Sequence, residues 1–260
     1  MMKKNELTDV TFLIPVRIDS IVRLENLLEV VNYILNFFNT RVFVLEADSY
    51  DNNILRSLLP KEVEFLFVKD DDPVFHRTKY LNMMLETVQT NFLSIWDADV
   101  LIAPRQIVSS VDSLRNDIID VSFPYDGTFF DTTSILRKIY MVSHDMDFLF
   151  ENVERMILPY GKDMGGGAIF VNTARYRDAG GENELFYGWG PEDWERIERW
   201  KRIGLRINRV DGPLFHLSHP RDQNGKHRSD IQRQNSMMIL ENTIMSDRKE
   251  LMMMFNNVNL

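Results

Sequence analysis

Cysteine is absent from this 260-residue chain, which excludes disulfides and thiolate metal sites and makes a reducing cytosol its natural setting. Basic charge is in short supply as well. Thirty Lys and Arg against 39 Asp and Glu leave a net charge of −9, without the basic footprint of a nucleic-acid partner. An acidic chain can still take an anionic small molecule, provided a divalent metal inverts the local field. No apolar run approaches the ~18 residues of a membrane helix. The start, "MMKKNELTDV", lacks a signal peptide's apolar region, so a cytoplasmic protein is expected. Low-complexity tracts, internal repeats and linkers are also missing. What remains is an ordinary globular composition, 44% hydrophobic and 27% charged, long enough to bury a sizeable core.

The first hundred residues alternate strand-like and helix-like segments. "VTFLIPV" (10–16), "RVFVLEA" (41–47), "VEFLFV" (63–68) and "NFLSIWDAD" (91–99) read as buried strands. Between them, residues 19–38 carry apolar positions at helical spacing behind an Asp19 cap, and 77–88 form another helix. Such alternation implies βαβ units and a parallel sheet, with ligands at the carboxyl ends of the strands. Arg17 and Asp19, Glu46 and Asp48, and Asp97 and Asp99 all fall at those ends. The second half is less regular: helix and loop over 131–163, a glycine-led strand at 165–172, and a helix at 191–203. A strand pair around 205–217 follows, then an amphipathic tail from about 227 whose methionines are expected to pack into the core. With no linker between them, the two halves should share one sheet.

Three short stretches carry chemistry. In "WDADV" (96–100), Asp97 and Asp99 point the same way if the chain is extended, so one can grip a metal while the other orients a ligand. A polar turn after a strand would look the same. "FHLSHPRD" (215–222) holds His216 and His219, two of only five histidines. Beside Asp99 they would make an open metal site, although the same set fits the facial triad of non-haem iron oxygenases. In "FYGWGPEDWERI" (186–197), Glu192 and Asp193 follow Pro191 into a helix start, where the dipole favours ionised carboxylates. Helix capping explains the acids but neither Trp189 nor its flanking glycines. An aromatic face beside carboxylates is how proteins hold a sugar ring. "GGGAIF" (165–170) lacks the spacing of a dinucleotide fingerprint and reads as a close backbone approach to a ligand, or as a plain turn.

In this order the stretches resemble the β-1,4-galactosyltransferase family of metal-dependent inverting glycosyltransferases. "LIPVR" (13–17) is similar to that family's first strand and proline-x-arginine, and "FHRTKYLN" (75–82) to its phenylalanine-x-arginine-x-lysine-x-x-asparagine segment. "WDADVLIAP" (96–104) resembles its Asp-Val-Asp strand end, and residues 165–195 its longest signature, which ends in Gly-Trp-Gly-x-Glu-Asp. "HLSHPRD" (216–222) resembles its Met-x-x-His-x-Arg-Asp, with His216 where methionine is frequent.

The resemblance implies an α/β fold of the GT-A, Rossmann-like type, a central mostly parallel mixed sheet flanked by helices. It implies one domain over 1–260, with a nucleotide-binding half at 1–104, an acceptor and catalytic half at 105–225, and a helical tail at 226–260. Asp99, His216 and His219 would hold a divalent metal, manganese. Pro15, Arg17, Asp19, Phe75, Arg77, Lys79, Asp97, Ala98 and Trp189 would bind a UDP-sugar donor. Gly166, Gly167, Trp189, Glu192 and Asp193 would meet the acceptor, a glycan or lipid-linked sugar that could bring the enzyme to a membrane surface. Asp193 would be the base and Glu192 its partner. Trp194 replaces the family's third acid, and galactose and N-acetylgalactosamine are both open as the sugar. The absence of cysteine fits a bacterial-type soluble enzyme that builds a surface glycan. Two other classes compete: a sugar-phosphate nucleotidyltransferase, which would need a glycine-rich arginine loop where "PVRID" stands, and a non-catalytic sugar-binding module, which would not need the metal set.

Overall fold

A computed structural model describes residues 3–161, 164–220 and 225–256. Strand β1 (Asn5–Val16) lies near the middle of a seven-stranded sheet, and its apolar run Val10, Phe12, Leu13 and Ile14 is fully buried. It pairs in parallel with β2 (Phe38–Asp48), which pairs in parallel with β3 (Glu64–Lys69). On its other side β1 runs parallel to β4 (Phe92–Trp96). β8 (Ala168–Asn172) is antiparallel to both β4 and β6 (Val121–Phe123), and β9 (Ile207–Arg209) closes the sheet parallel to β6. The order is therefore β3-β2-β1-β4-β8-β6-β9. The halves do share this sheet, as expected. Connections from β1 and β4 leave to opposite sides, which opens a crevice at their carboxyl ends.

A second, three-stranded sheet joins β5 (Val100–Leu101), β10 (Leu214–His216) and β7 (Phe129–Asp131). This corrects the expected strand pair at 205–217: β9 and β10 lie in different sheets, because the intervening Gly212, at φ +117°, turns the chain away. The small sheet carries His216 to the end of β4, where β10 pairs with Val100 just past Asp99.

Helices flank the sheet, short α2 (Ile54–Leu58) and α7 (Thr173–Asp178) among them. α1 (Ile21–Phe37) buries Leu27, Val30, Val31 and Ile34, and its cap is Ser20, which accepts from the Arg23 N–H at 3.2 Å. Asp19 is not the cap; it pairs with Arg23 one turn on, at 3.0 Å. α3 (Arg77–Thr87) follows the Phe75 segment, and α4 (Pro104–Arg115), with proline in its first turn, follows β5. α5 (Ser134–Ser143) and α6 (Met146–Glu151) occupy the irregular middle segment.

α8 (Glu192–Ile203) has Glu192, Asp193 and Glu195 in its first turn and Lys201 and Arg202 in its last, matching the helix dipole at both ends. Gly204, at φ +90°, ends it by donating to the Trp200 and Lys201 carbonyls. The tail forms α9 (Asp230–Met245) and α10 (Arg248–Asn256). Apart from Met252, which packs against the core, its methionines are not core. Met237, Met238, Met245, Met253 and Met254 are all exposed, because α9 meets the protein through Ser236 and Thr243, the latter donating to Glu195 at 3.0 Å. Apolar side chains sit all round α9 rather than on one stripe, so the amphipathic expectation fails too. Among the described residues no helix is long and apolar enough to cross a membrane.

Candidate active site

A cleft of about 450 Å³ opens at the carboxyl ends of β1 and β4, within the size range of small-ligand sites. Pro15, Arg17, Asp19, Phe75, Arg77, Asp97, Ala98, Asp99, Gly166, Gly167, Trp189, Glu192, Asp193, His216 and His219 all line it. Of the expected site residues only Lys79 does not. It lies two positions past Arg77, about 200° round the helix, and its amine pairs with Asp70 at 3.4 Å instead. Glu46 and Asp48 also stay out of the cleft. Glu46 is buried, which together with the charges of Asp48 and Asp51 pushes its pKa up to about 7.

At one end, donor atoms of Asp99, His216 and His219 lie within 4.8 Å of one another. His219 Nε2 is 3.1 Å from Asp99 Oδ2, and His216 Nε2 is 3.5 Å from Asp99 Oδ1. The outer nitrogens are engaged elsewhere: His216 Nδ1 meets Asp131 Oδ1 at 2.9 Å, and His219 Nδ1 meets the Pro220 carbonyl at 2.8 Å. Both rings therefore present Nε2 inward, and a carboxylate behind a ligating imidazole is the usual way to orient it. Phe129 stacks on His216 with ring centroids 5.2 Å apart. This donor set fits a divalent cation. Arg23 stands beside it, 3.7 Å from Asp99 Oδ2.

Arg17 is held by the Ala47 and Asp72 carbonyls at 2.7 and 2.8 Å, while its third nitrogen, NH2, is buried without a hydrogen bond. A fixed guanidinium with an unused donor in a cleft is suited to an anionic ligand. Arg77 donates to Asp97 at 2.7 Å.

Asp193 occupies the other end. Its Oδ1 accepts from Arg196 and lies 3.5 Å from Arg77. Burial works against its charge, but Arg196 and Arg77 outweigh burial and hold its pKa below the ordinary carboxylate value. Oδ2 has no hydrogen-bond partner among the described residues and lies over Gly166, where an added Cβ would sit 2.5 Å away. Glu192 is buried and accepts from the Gly190 N–H at 3.1 Å. Burial, reinforced by the Asp193 charge, pushes its pKa up to about 8, toward the neutral form. The two adjacent acids are thus shifted in opposite directions.

The three glycines do serve close approach, but to the protein's own side chains. A Cβ on Gly165 would strike Ile197, one on Gly166 Asp193, and one on Gly167, at φ +90°, Leu214. Trp189 is 40% exposed at the cleft mouth, its ring edge-on to His227 at 4.9 Å, and Trp194 and Tyr160 join it there. Sequence reasoning missed Arg23, Asp131, Glu182 and Arg196, charges that reach the site through at least one partner far away in the chain: Asp99 for Arg23, His216 for Asp131, and each other for Glu182 and Arg196. Arg221 and Asp222 of the last motif lie outside the described residues.

Comparisons with known proteins bear on the fold and the family resemblance. Residues 150–222 match the family model described as the N-terminal domain of galactosyltransferase. Human β-1,4-galactosyltransferase 7 is 26% identical over 140 residues, which is 53% of this chain but only 33% of the human protein. Among solved structures, the catalytic domain of Drosophila β-1,4-galactosyltransferase 7 with xylobiose superposes with a TM-score of 0.57 at 13% identity, covering 92% of this chain and 82% of that one. A mutant of the fly enzyme with manganese, UDP-Gal and xylobiose gives 0.56 at 13% identity, over 87% and 78% of the two chains. A mannosyltransferase from Pyrobaculum calidifontis with GDP-Man and Mn2+ gives 0.51 at 15% identity, over 83% and 58%. The fold is that of the GT-A galactosyltransferases, and the resemblance read in the sequence stands on a family match at 150–222, a curated relative and a shared architecture.

Proposed function

We propose that the chain is a metal-dependent inverting glycosyltransferase that moves galactose or N-acetylgalactosamine from a UDP-sugar to a hydroxyl of a glycan acceptor. The observation that carries this reading is one cleft with a His-His-Asp donor set at one end and, at the other, a half-buried Asp193 whose Oδ2 has no hydrogen-bond partner among the described residues. The named relatives support it: the human protein is a galactosyltransferase, and solved neighbours hold UDP-Gal or GDP-Man with manganese. Manganese bound by Asp99, His216 and His219 would supply positive charge against the departing diphosphate.

The chain's own residues do the rest. Arg17 offers its unused NH2 to the nucleotide. Trp189, with Trp194 and Tyr160 nearby, gives apolar faces on which sugar rings stack. Glu192, pushed toward its neutral form, can donate to a sugar hydroxyl as well as accept from one. Asp193 Oδ2 takes the proton of the acceptor hydroxyl as that oxygen bonds to C1 from the face opposite the nucleotide. The C1–O bond to the diphosphate breaks, its electron pair leaves with UDP, and configuration inverts.

The test is a screen of UDP-sugars for turnover with manganese, with xylobiose and water as acceptors. Release of UDP from UDP-galactose or its N-acetyl analogue, abolished by chelation, is the expected result. No turnover of any UDP-sugar, or turnover indifferent to chelation, would overturn the reading.

A further inference from the structure

Behind Asp193 lies a row of side chains that proton transfer alone does not require. Arg196, one turn along α8, is fully buried and sits between two carboxylates. Its NH2 donates to Asp193 Oδ1, and its NH1 donates to both oxygens of Glu182 at 2.9 and 2.8 Å. Glu182 is equally buried and is held from its far side by the Tyr176 hydroxyl at 2.5 Å. In front, Arg77 reaches from α3 to Asp193 Oδ1 and to Asp97. Signs alternate along the row: Glu182, Arg196, Asp193, Arg77, Asp97. Burying two charges such as Arg196 and Glu182 costs more than an apolar pair of the same shape, so stability is a poor reason for them.

A carboxylate is two-fold symmetric about its last torsion, and a lone aspartate could present either oxygen to the cleft. Here both guanidinium contacts fall on Oδ1, and Gly166 leaves room only over its bare Cα for Oδ2. Resting on the proposed role of Asp193 as base, we infer that Arg196, braced by Glu182 and Tyr176, is its positioning residue: it takes Oδ1 and leaves Oδ2 as the oxygen that receives the proton. Arg196, with Arg77, also holds the Asp193 pKa below the ordinary carboxylate value against the burial that raises it. The charged or titratable groups facing Asp193 are Arg196 and Glu192 on its own helix, Arg77 from α3, Asp97 from the end of β4, and Tyr125 from beyond β6.

Two variants test this, with UDP-galactose hydrolysis in manganese as the assay and UDP calorimetry as the control. Arg196→Met with Glu182→Gln removes both buried charges together, so neither is stranded. Its acid limb in kcat against pH should move up by about one unit or more, since Asp193 loses its nearest cation, while UDP affinity stays within about twofold. Arg196→Lys keeps the charge but cannot fork between two carboxylates. Its limb should stay near that of the parent while kcat falls about tenfold or more through lost positioning. Should the double variant fail to fold, the lysine variant still decides: parental kcat would overturn the inference. So would an unshifted limb in a folded double variant. Asp193→Asn separates the two ideas. If it is inactive while both Arg196 variants behave as the parent, only the positioning role is lost; if it stays active, the base assignment itself is wrong.

Discussion

Asp99 and Asp193 are the same residue type at opposite ends of one cleft, and both are held ionised against burial by cationic neighbours. The neighbours differ in kind. Asp99 is surrounded by imidazoles, which can give up a proton and offer a lone pair, so its end can exchange protons for a metal ion. Asp193 is held by guanidiniums, which neither deprotonate nor ligate, so the positive charge beside it is permanent and its carboxylate is fixed in place. On the proposed function, partner chemistry, not the carboxylate, separates the end that would take up an ion from the end that would take up a proton.

The comparison breaks most severely at the metal end. Asp99→Asn replaces a hard anionic ligand with a weak neutral one. UDP affinity in manganese should fall about 10²-fold and approach that of the chelated parent in calorimetry. Unchanged affinity would mean that the three donors do not bind metal. At the other end, Gly166→Ala places a methyl 2.5 Å from Asp193 Oδ2, closer than the two atoms can stand. The carboxylate must turn aside, so kcat should drop about 10- to 100-fold while UDP affinity holds. A parental kcat would show that Oδ2 is not the reacting oxygen.

Two smaller effects sharpen the picture. Trp189→Ala should raise the KM for acceptor or donor sugar about 3- to 10-fold and leave UDP affinity alone, as expected for one lost stacking face. Loss of UDP affinity alongside would make the tryptophan structural. Glu192→Gln reports on the neighbour of the base. The Glu192 pKa is raised from 4.5 to about 8 in the folded protein, so its stabilising contribution is complete below 4.5 and is lost as pH climbs to about 8. A glutamine, always neutral, should therefore gain stability relative to the parent across that window and run parallel to it above. Denaturant melts at pH 5 and pH 8 with the same difference between the two proteins would contradict this.

Much of the metal end was legible in the sequence because its signals are local. Asp97 and Asp99 close a continuous apolar strand, and His216 and His219 stand three apart in a chain poor in histidine. Strand ends and short spacings survive translation into one dimension. The support behind them does not. Asp131 meets His216 across 85 residues, and Glu182 reaches Arg196 across 14 and between different elements, with no periodicity to mark either. Lys79 was misplaced for a related reason: a family motif names a position, but helical rotation decides which side of α3 faces the cleft. β9 and β10 were read as a pair because strands of three residues carry too little pattern to say which sheet they join. The tail misled through composition, since methionine is equally at home on a surface helix held by Ser236 and Thr243.

The account's central claim is that Asp193 takes the acceptor's proton. Asparagine keeps its shape, serves as well near a helix start, and removes the proton-accepting charge, while Arg196 keeps Glu182 and Arg77 keeps Asp97 as counter-charges. Measured with UDP-galactose and manganese, Asp193→Asn should lose about 10²–10⁴-fold in kcat while it stays folded at the assay temperature and its UDP affinity stays close to that of the parent. Near-parental turnover in that variant, with the fold intact, would contradict the claim.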